Sequence, residues 1–498
     1  MSATLSLAEI QKHNNPEDCW IIIRDVVYNV TEFLNEHPGG AKMILRYAGK
    51  DATEEYEPIH PESALDALPA EAKVGTLDKA TVTSQPPKDT PTGAKDTEPP
   101  AAATPAAASG PKKRPSLDAC LSLRDIEIAA EQILTARAFA YFKGGSDDEW
   151  TLNWNEESFS RVRFRPRVLI DISTVSMKTT ILGQPVSLPF LIAPAAMAKQ
   201  AHPDGELALA RAAAKHGIAQ VSCINASYGY ETMSKQKDPN QVFYYQVYIH
   251  KDRRVTEKDL RRVRELGYKG IFLTVDAPAV GKRERDERVT LVTEDTEGGS
   301  YSKAAAGTRG LAKSTSTFFD NKLIWQDLWW IRSIVGPDMP IVVKGIQTAE
   351  DAAICARMGA HVYVSNHGGR QLNGAPAAVE ILLEIRKHCP WVFDLVEVYA
   401  DGGFRRGTDI VKAIALGCRG VLLGRPFLFS LAFGQDGAEK TIEILRNEID
   451  TAMRLLGVTS LDQLGPQHVN CGELEKNVSE QYDGPGKPWF KNYFAAKL

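Results

Sequence analysis

The sequence has 498 residues, of which 43% are hydrophobic and 24% are charged, and this is the usage of an ordinary globular protein rather than of a disordered or collagen-like chain. Its 59 basic and 63 acidic residues give a net charge of −4, which lacks the clustered basic excess that nonspecific binding to nucleic acid needs. No apolar run approaches the roughly 18 residues of a membrane helix, so we expect neither nucleic acid nor a membrane as a partner.

The first residues predict no targeting signal. They contain neither a basic segment followed by an apolar one nor an Arg-rich amphipathic pattern. The seven cysteines are scattered and form no CxxC pair, which favours a reducing compartment and argues against a disulfide framework. The literal expectation is therefore a soluble, cytoplasmic protein.

Two histidines stand out in the first 80 residues. His37 lies in the run His37-Pro38-Gly39-Gly40, and His60 follows 23 residues later. A lone histidine is more often a surface or core residue than a ligand, but a module this small gains from an internal prosthetic group. Two neutral imidazoles suit a haem iron with both axial positions filled, which carries electrons, and the absence of CxxCH predicts noncovalent attachment.

Acidic residues crowd the second histidine. They are either a solvated face or a rim that attracts a basic redox partner. The residues concerned are Asp51, Glu54, Glu55, Glu57 and Glu62.

A proline-rich segment follows this module. Eight of the 28 prolines fall between Pro86 and Pro115, in a stretch without Val, Ile, Leu, Met or aromatic residues. Such a segment cannot bury enough surface to offset its ordering entropy, so residues 81–115 are predicted to be a mobile tether. Within it, Lys112-Lys113-Arg114 is the solvated end of a linker in preference to a nuclear signal.

Beyond the tether, short β-branched runs alternate with helical stretches. Eight strands are predicted, the number that closes a (β/α)8 barrel, although doubly wound folds share the alternation. The strands are Pro189–Pro194, Gly217–Ser222, Val242–Tyr248, Gly270–Asp276, Pro340–Gly345, His361–Asn366, Val396–Asp401 and Gly420–Arg425. Amphipathic helices are predicted between them, at Gly205–His216, Glu257–Leu266, Ala349–Met358 and Thr408–Leu416.

The carboxyl ends of these strands favour the barrel. Nearly every strand ends in polar or charged residues, which in a barrel would meet in one cavity. A set containing a histidine, a lysine, two aspartates and several arginines at equivalent positions is hard to explain by chance, although any one member alone would be unremarkable as structure.

Two family resemblances follow from these motifs. Residues 7–77, with His37-Pro38-Gly39-Gly40, resemble cytochrome b5, which implies heme b with His37 and His60 as axial ligands. Residues 116–467 resemble the FMN-dependent 2-hydroxy acid dehydrogenase/oxidase family. The motifs are Ser365-Asn366-His367-Gly368-Gly369-Arg370-Gln371-Leu372, Thr274-Val275-Asp276-Ala277-Pro278, Lys344-Gly345 and Asp401-Gly402-Gly403-Phe404-Arg405-Arg406-Gly407-Thr408-Asp409.

The order of haem module, linker and flavin barrel is that of the family's flavocytochrome branch. It implies a multidomain fold with a small α+β cytochrome b5-like domain at 1–80, a linker at 81–115, an α/β TIM (β/α)8 barrel at 116–467 and a tail at 468–498. Homotetramers are common in the family, and the tail from Val469 to Leu498 is a candidate intersubunit strap.

The resemblance also implies roles for the strand-end residues. His367 would be the base that takes the substrate proton, and Asp276 would orient it and stabilise its charged form. Lys344 would supply the cation beside the reduced flavin, while Arg370 offers a planar partner for the substrate carboxylate. The remaining catalytic candidates are Tyr141, which would bond the carboxylate, Tyr248, near the substrate hydroxyl, and Arg283, a second cation.

The flavin contacts are implied in the same way. Backbone of Ala195 and Ala196 and side chains of Gln246 and Thr274 would meet the ring, and the last two strand ends would hold the phosphate, the usual anion site of a barrel. The full cofactor set adds Cys223, Lys344, Asp401, Gly402, Gly403, Arg405, Gly424 and Arg425.

Three features depart from the family pattern. Cys223 stands where relatives often place serine, and Asn225 stands where a bulky apolar residue commonly lines the substrate pocket. Asn225 would favour a more polar or larger substrate than lactate. The long segment Val280–Lys322, rich in Gly, Ser, Thr and Ala over Thr296–Ser316, is predicted to be a mobile surface loop or lid.

The implied activity is oxidation of an L-2-hydroxy acid, with electrons passing from FMN through the haem to cytochrome c. The substrate expected before others is L-lactate, which would be oxidised to pyruvate. One alternative is an oxidase for glycolate or a longer substrate that returns electrons to oxygen. Another is a haem carrier or sensor with an inactive barrel. A cytochrome c partner would place the protein in the mitochondrial intermembrane space, the alternative to the cytoplasm.

Overall fold

The computed structural model describes residues 3–37, 41–60, 64–65, 68–81, 115–295 and 318–484. Five sequence-based predictions fall partly or wholly outside these residues. They concern residues 82–114 of the tether with its basic end, the Pro38–Gly40 part of the first motif, Glu62, the segment Thr296–Ser316, and residues 485–498 of the tail.

The chain divides into two compact units. Among the described residues, the first unit comprises 3–37, 41–54, 68–81 and 115–116, and the second comprises 55–60, 64–65, 117–295 and 318–484. The domain limits drawn from composition remain predictions.

The first unit is built on a five-stranded sheet of order β1-β5-β4-β3-β2, in which β1 and β5 are parallel and the other pairs antiparallel. Its strands are β1 Ala3–Leu5, β2 Asn14–Asn15, β3 Asp18–Ile23, β4 Val26–Asn29 and β5 Lys73–Leu77. The tight turn between β3 and β4 consists of Arg24 and Asp25, both with positive φ, as a two-residue hairpin of this twist requires. Ile10, Ile22 and Val27 form its buried core.

Short helices complete this part of the chain. They are Leu7–Ile10, Ala41–Leu45 and Thr53–Tyr56, with 3₁₀ turns at Glu32–Asn35, Ala70–Ala72 and Lys79–Thr81.

The second unit is a closed barrel of eight parallel strands, which confirms the predicted fold over the doubly wound alternative. The strands are β9 Phe190–Ile192, β10 Gln220–Cys223, β11 Phe243–Val247, β12 Ile271–Thr274, β13 Ile341–Ile346, β14 His361–Val364, β15 Val398–Ala400 and β16 Gly420–Leu423. All eight lie within or overlap the predicted ranges. Most are shorter, because their last predicted residues turn into the loops that carry polar side chains.

The inside of the barrel is filled towards its amino end. Tyr244, Phe272, Tyr363 and Tyr399 point inward from four strands and pack into one buried cluster. The hairpin of β7 Thr179–Ile181 and β8 Gln184–Val186 adds Ile181 and Val186 to that cluster, and the Tyr244 hydroxyl donates to the Ile181 carbonyl at 2.7 Å. The amino end is therefore closed, and the cavity that holds the site opens at the carboxyl end.

Helices cover the outer face of the strands. The α-helices of this unit are Leu123–Ile133, Ala136–Lys143, Trp150–Ser160, Gly205–His216, Tyr230–Lys235, Arg253–Glu265, Glu284–Asp295, Asp327–Val335, Ala349–Arg357, Ala378–His388, Val392–Leu395, Gly407–Ala415, Arg425–Ser430 and Gly434–Leu456. None of the described helices is long and apolar enough to cross a membrane.

The predicted start of one helix was wrong, and so was the prediction that one long segment is a loop throughout. The helix predicted from Glu257 begins at Arg253, because the Asp252 side chain accepts the Arg254 N–H and caps it there. The segment Val280–Lys322 is not a loop throughout, since Glu284–Asp295 forms a helix in its first part.

The described part of the tail packs against this chain's own barrel. Its strand β17, Val469–Asn470, pairs antiparallel with β6, Arg163–Phe164, and Leu474 and Val478 are buried. What remains of the strap prediction concerns residues 485–498, which lie outside the described residues.

Candidate active site

A buried cluster of three charged or titratable side chains lies at the carboxyl end of the barrel. The Asp276 carboxylate bonds His367 Nδ1 at 2.7 Å through Oδ1 and Lys344 Nζ at 3.2 Å through Oδ2. Lys344 Nζ also lies 3.4 Å from His367 Nδ1. Because Nδ1 is held by Asp276, Nε2 is the imidazole nitrogen that remains for a substrate.

A glycine allows the aspartate and the lysine to approach. Gly345 has φ +113°, and a Cβ on it would lie 2.7 Å from the Asp276 Cβ. The strand register pairs Thr274 with Lys344, two residues before Asp276, and shifts immediately after the lysine. The dipeptide Lys344-Gly345 is therefore required as a pair, since any side chain after the lysine would displace the carboxylate.

His367 itself sits in a strained backbone turn. Its φ is +58°, and Gly368 and Gly369 also have positive φ. The Asn366 side chain closes the turn by accepting the Gly369 N–H at 3.0 Å and donating to Pro376 O at 2.9 Å. A Cβ on Gly369 would lie 2.5 Å from Leu152 N, which excludes other residues there. Such strain persists where the surroundings impose it and is common at functional sites.

The electrostatics keep the aspartate charged and the histidine neutral. Burial raises the pKa of Asp276, but His367 and Lys344 lower it more strongly, to about 2. Burial lowers the pKa of His367 below its ordinary value of 6.5, and Lys344 and Arg283 lower it further, against the opposing effect of Asp276. At neutral pH the imidazole is therefore an acceptor beside a carboxylate.

A second cationic group faces the same pocket. Arg370 Nη2 donates to the carbonyls of Tyr141 and Phe142 at 2.9 and 2.5 Å, which fixes the plane of the guanidinium. Burial lowers the pKa of Arg370 to about 10, so it stays charged at neutral pH. Arg283 is also buried, and its Nε has no hydrogen-bond partner among the described residues.

Two tyrosine hydroxyls accompany these cations. Burial raises the pKa of Tyr141 and that of Tyr248, so both remain neutral donors. The Tyr248 ring stacks on Phe319 with centroids 4.0 Å apart.

The pocket gathers all but one of the barrel residues singled out from the sequence. Asp276 is the exception, since it lies behind His367 with a fully buried side chain. The others line the pocket: Tyr141, Ala195, Ala196, Cys223, Gln246, Tyr248, Thr274, Arg283, Lys344, His367, Arg370, Asp401, Gly402, Gly403, Arg405, Gly424 and Arg425.

The two arginines predicted for a phosphate differ in their surroundings. Arg425 donates to the carbonyls of Phe142, Gly144 and Gly368 at 2.8 to 3.1 Å, so its donors already connect three loops. Arg405 pairs with Glu127 and Glu156 at 3.3 and 2.8 Å, and its buried Nη1 has no partner among the described residues. An unsatisfied buried donor is rare and indicates a missing acceptor.

The backbone at this end fits an anion. Gly402 and Gly403 have φ of +91° and +82°, and a Cβ on Gly403 would lie 1.9 Å from Asn155 O. Only glycine can therefore expose its N–H at this turn. Gly402, Gly403 and Arg405 line the same pocket, so this end of it could hold an anion such as a flavin phosphate.

Asn225 and Cys223 line the pocket on the side of β10. Asn225 is half-buried at the pocket wall. Burial raises the pKa of the Cys223 thiol to about 12, so it is a neutral lining group.

Sequence reasoning missed several contributors. Gln371 donates to Asp276 O at 2.7 Å and so holds the aspartate loop. Phe319 packs on Tyr248, and Glu127 and Glu156 neutralise Arg405. Gln371 lies inside the quoted motif and could have been found there, whereas the other three contacts join distant segments and leave no local signal.

Each of the two histidines of the small module contacts an aromatic ring. His60 Nδ1 lies 3.1 Å from Tyr56 O, and its ring stacks on Tyr56 with centroids 4.1 Å apart. The bond to the Tyr56 carbonyl and the ring stack fix the orientation of the His60 imidazole. His37 follows the 3₁₀ turn Glu32–Asn35 and meets the Phe33 ring edge-on. Among the described residues no group of three or more His, Cys, Asp or Glu side chains is placed to hold a metal ion.

Family models match both parts of the chain. Residues 130–471 match the FMN-dependent dehydrogenase family, and residues 6–78 match the cytochrome b5-like heme/steroid binding domain. The chain belongs to the FMN-dependent dehydrogenase family, in the branch that also has a cytochrome b5-like domain. It is an FMN-dependent oxidoreductase whose cofactors are FMN and haem.

Similar proteins match either nearly the whole chain or mainly its barrel. An L-lactate dehydrogenase (cytochrome) from Wickerhamomyces anomalus is 37% identical over 94% of this chain and 80% of its own length. Glycolate oxidase 1 of Zea mays is 41% identical over 70% of this chain and 95% of its own. The flavin-binding domain of baker's yeast flavocytochrome b2 superposes with a TM-score of 0.66 at 35% identity, over 77% of this chain and 93% of that one.

Proposed function

We propose that this enzyme oxidises an L-2-hydroxy acid and passes the electrons through its haem to cytochrome c. The preferred substrate is L-lactate, which would be oxidised to pyruvate. The observation that carries the proposal is the His367 imidazole bonded to a buried carboxylate, in a pocket that also holds Arg370 and Lys344. The relative named L-lactate dehydrogenase (cytochrome) supports it, because it matches the haem module as well as the barrel.

The substrate carboxylate binds Arg370. A planar guanidinium with one Nη held by backbone carbonyls offers its remaining donors in one orientation, which suits a bidentate carboxylate. The neutral Tyr141 hydroxyl adds a donor, and Arg283 adds positive charge. These contacts fix the reacting carbon relative to His367 and account for selection of an acid.

His367 takes the substrate proton on Nε2. The imidazolium that forms is stabilised by the Asp276 carboxylate at 2.7 Å, which also holds the ring in place. Tyr248 donates to the substrate hydroxyl. FMN, when bound, supplies the acceptor for the substrate's two electrons. Lys344 and the ring contacts of Gln246 and Thr274 would hold it, with Asp401, Gly402, Gly403, Gly424 and Arg405 towards its phosphate end.

The small module carries the electrons onward. We assign the iron ligands to His37 and His60, and the docking of a basic acceptor such as cytochrome c to the acidic residues near His60. Asp51, Glu54 and Glu55 are exposed or half-exposed, as a docking surface requires. The tether would let the module reach both the flavin and its acceptor.

We also propose that the protein assembles as a homotetramer. The apolar side chains of Val168, Leu169 and Leu455 expose 81%, 102% and 71% of their surface, and a contact between subunits would cover such side chains. A stable assembly that covers them would be measured by light scattering on the purified protein.

Absorbance under anaerobic conditions tests the reaction. L-Lactate should bleach the flavin bands and then reduce the haem, and the D isomer should do neither. The variant His60→Ala should lose the haem spectrum and cytochrome c reduction while keeping flavin reduction. Cytochrome c reduction unaffected by this substitution would overturn the relay. In a separate aerobic assay without cytochrome c, rapid peroxide formation would favour the oxidase that the glycolate oxidase relative suggests.

The pH dependence of kcat/KM should report His367. Because its pKa is lowered and the base must be neutral, activity should fall as pH drops through a midpoint below 6.5 and stay level around pH 7. Asp276→Asn removes the carboxylate charge that raises this pKa, so the midpoint should move lower still while the rate falls. A midpoint above 7 in the unmodified enzyme would contradict the assignment.

Asn225 should tune the substrate. The Asn225 carboxamide in the pocket wall favours a substrate side chain that can hydrogen-bond to it. Asn225→Leu should therefore raise the ratio of kcat/KM for L-lactate over a 2,3-dihydroxy acid by about 10-fold, the worth of roughly one hydrogen bond. Asn225→Ala separates the lost bond from the change in space. Equal ratios in all three proteins would show that Asn225 does not contact the substrate.

A further inference from the structure

Glu206 is a buried carboxyl group that the proposed mechanism does not use. It is 4% exposed and lies in the first turn of the helix Gly205–His216. Its Oε1 accepts the backbone N–H of Ser227 at 2.9 Å and that of Ala198 at 3.2 Å. One carboxyl oxygen thus connects two loops that follow different strands.

These two loops form neighbouring walls of the active-site pocket. The loop after β9 contributes Ala195 and Ala196, and the carboxyl end of β10 with the loop that follows it contributes Cys223 and Asn225. A further bond from Lys199 N to Ser227 Oγ at 3.2 Å joins the loops next to the carboxyl group.

The backbone is shaped to bring Glu206 to this point. Gly205 has φ +40°, and a Cβ on it would lie 3.0 Å from Lys199 N, so the glycine allows the helix to begin against the loop. Met197, between the pocket residue Ala196 and the bonded Ala198, has φ +60°. A bulky residue in this conformation needs outside support, and the Glu206 bond supplies it one residue later.

The other oxygen of the carboxyl group is also informative. Glu206 Oε2 is buried and has no hydrogen-bond partner among the residues that the structure describes, and the same is true of Gln220 Oε1 on β10. Burial raises the pKa of Glu206. A buried carboxyl group kept at such cost is a poor choice for stability alone, since an apolar residue of similar volume would avoid the desolvation penalty.

We propose that Glu206 is a positioning residue that sets the distance between the Ala195–Ala196 wall and the Cys223–Asn225 wall. The inference rests on the proposed function, because that function places the flavin ring and the substrate side chain between these two walls. Displacements of the order of 1 Å at reacting groups cost about 100-fold in rate, so a clamp on two walls controls both selectivity and turnover.

The test compares three substitutions at this position with one control. Glu206→Ala removes the clamp, Glu206→Asp shortens it and Glu206→Gln keeps an oxygen for the two N–H groups. The control is Glu397→Ala, which also removes a carboxylate that accepts a backbone N–H, from Leu182 at 2.8 Å, but at the closed amino end of the barrel. Melting temperature, FMN dissociation rate, visible circular dichroism of the bound flavin, and KM and kcat for L-lactate and a larger 2-hydroxy acid are measured for each.

Glu206→Ala should release FMN at least 10-fold faster than the control and change the ratio of kcat/KM for the two substrates at least 10-fold. Glu206→Gln should restore both within 3-fold, because it keeps the two bonds. If Glu206→Ala does not fold, Glu206→Asp should show the same changes to a smaller degree. Flavin and substrate readouts equal to those of Glu397→Ala, at a similar loss of melting temperature, would reduce Glu206 to a structural role. Because FMN release needs no substrate, this result stands even if the substrate is not lactate.

Discussion

Replacing His367 with glutamine should lower kcat by about 100- to 10,000-fold, the range that a positioned general base contributes. Glutamine can donate and accept hydrogen bonds but cannot hold the substrate proton, so binding should survive while proton removal fails. The FMN and haem spectra should be unchanged, because the substitution leaves the cofactor contacts in place. Single-turnover flavin reduction measures the loss directly.

His361, on the strand that leads to His367, provides a matched control. His361 begins β14 at the closed amino end, where its Nδ1 accepts the Glu397 N–H at 3.1 Å, and His367 follows the carboxyl end of β14. His361→Gln should leave flavin reduction within a factor of about two, the scatter expected for a site outside the chemistry. The double variant of His367→Gln with Asp276→Asn should be little slower than His367→Gln alone, because the carboxylate acts through the imidazole. If the two substitutions lowered the rate of flavin reduction additively, this would contradict the inference that Asp276 acts through His367.

Replacing Arg370 with lysine should reduce kcat/KM by about 100- to 1,000-fold, equivalent to about 3–4 kcal/mol for breaking a buried, hydrogen-bonded charge pair. Lysine keeps the charge but cannot bond the carbonyls of Tyr141 and Phe142 and a carboxylate in one plane. The loss should appear mainly in KM. It is measured by steady-state kinetics with a 2-hydroxy acid and with the corresponding 2-hydroxy amide.

The amide supplies the decisive comparison. It lacks the carboxylate charge, so the variant should lose much less against the amide than against the acid. Arg332→Lys serves as the control, because Arg332 also donates to backbone carbonyls, of Gly359 at 2.9 Å and Pro337 at 3.5 Å, but lines no part of the pocket. Equal losses for acid and amide would show that Arg370 supports the loops and does not bind the carboxylate.

The strand-and-helix order of the barrel was predictable because it is written locally. Buried parallel strands appear as short apolar runs, and helices as amphipathic stretches of the right length, so all eight strands were found within a few residues. Ends were less predictable, since a cap such as Asp252 outside the apolar pattern decides where a helix begins. The helix Glu284–Asp295 was missed because its charged residues hide the apolar period.

The residues of the site were predictable as a set, but their use was not. Arg405 and Arg425 were equivalent in sequence, yet one pairs with two glutamates and keeps an unsatisfied donor, while the other donates to three loop carbonyls. Nothing in the runs around them distinguishes these fates. Glu206 looked like an ordinary helical residue, and only the meeting of two loops shows what it holds.

The sequence by itself determined the two modules, the family, the eight strands and the chemical types at their ends, because motifs and periodicities depend on neighbours along the chain. Only the tertiary structure decided which of those groups touch. Lys344 lies 68 residues from Asp276, and His367 lies 91 residues from it, and closure of the barrel brings both to one carboxylate. Burial at that point sets their charges, since a pKa depends on the surroundings in space and not on the neighbours in sequence.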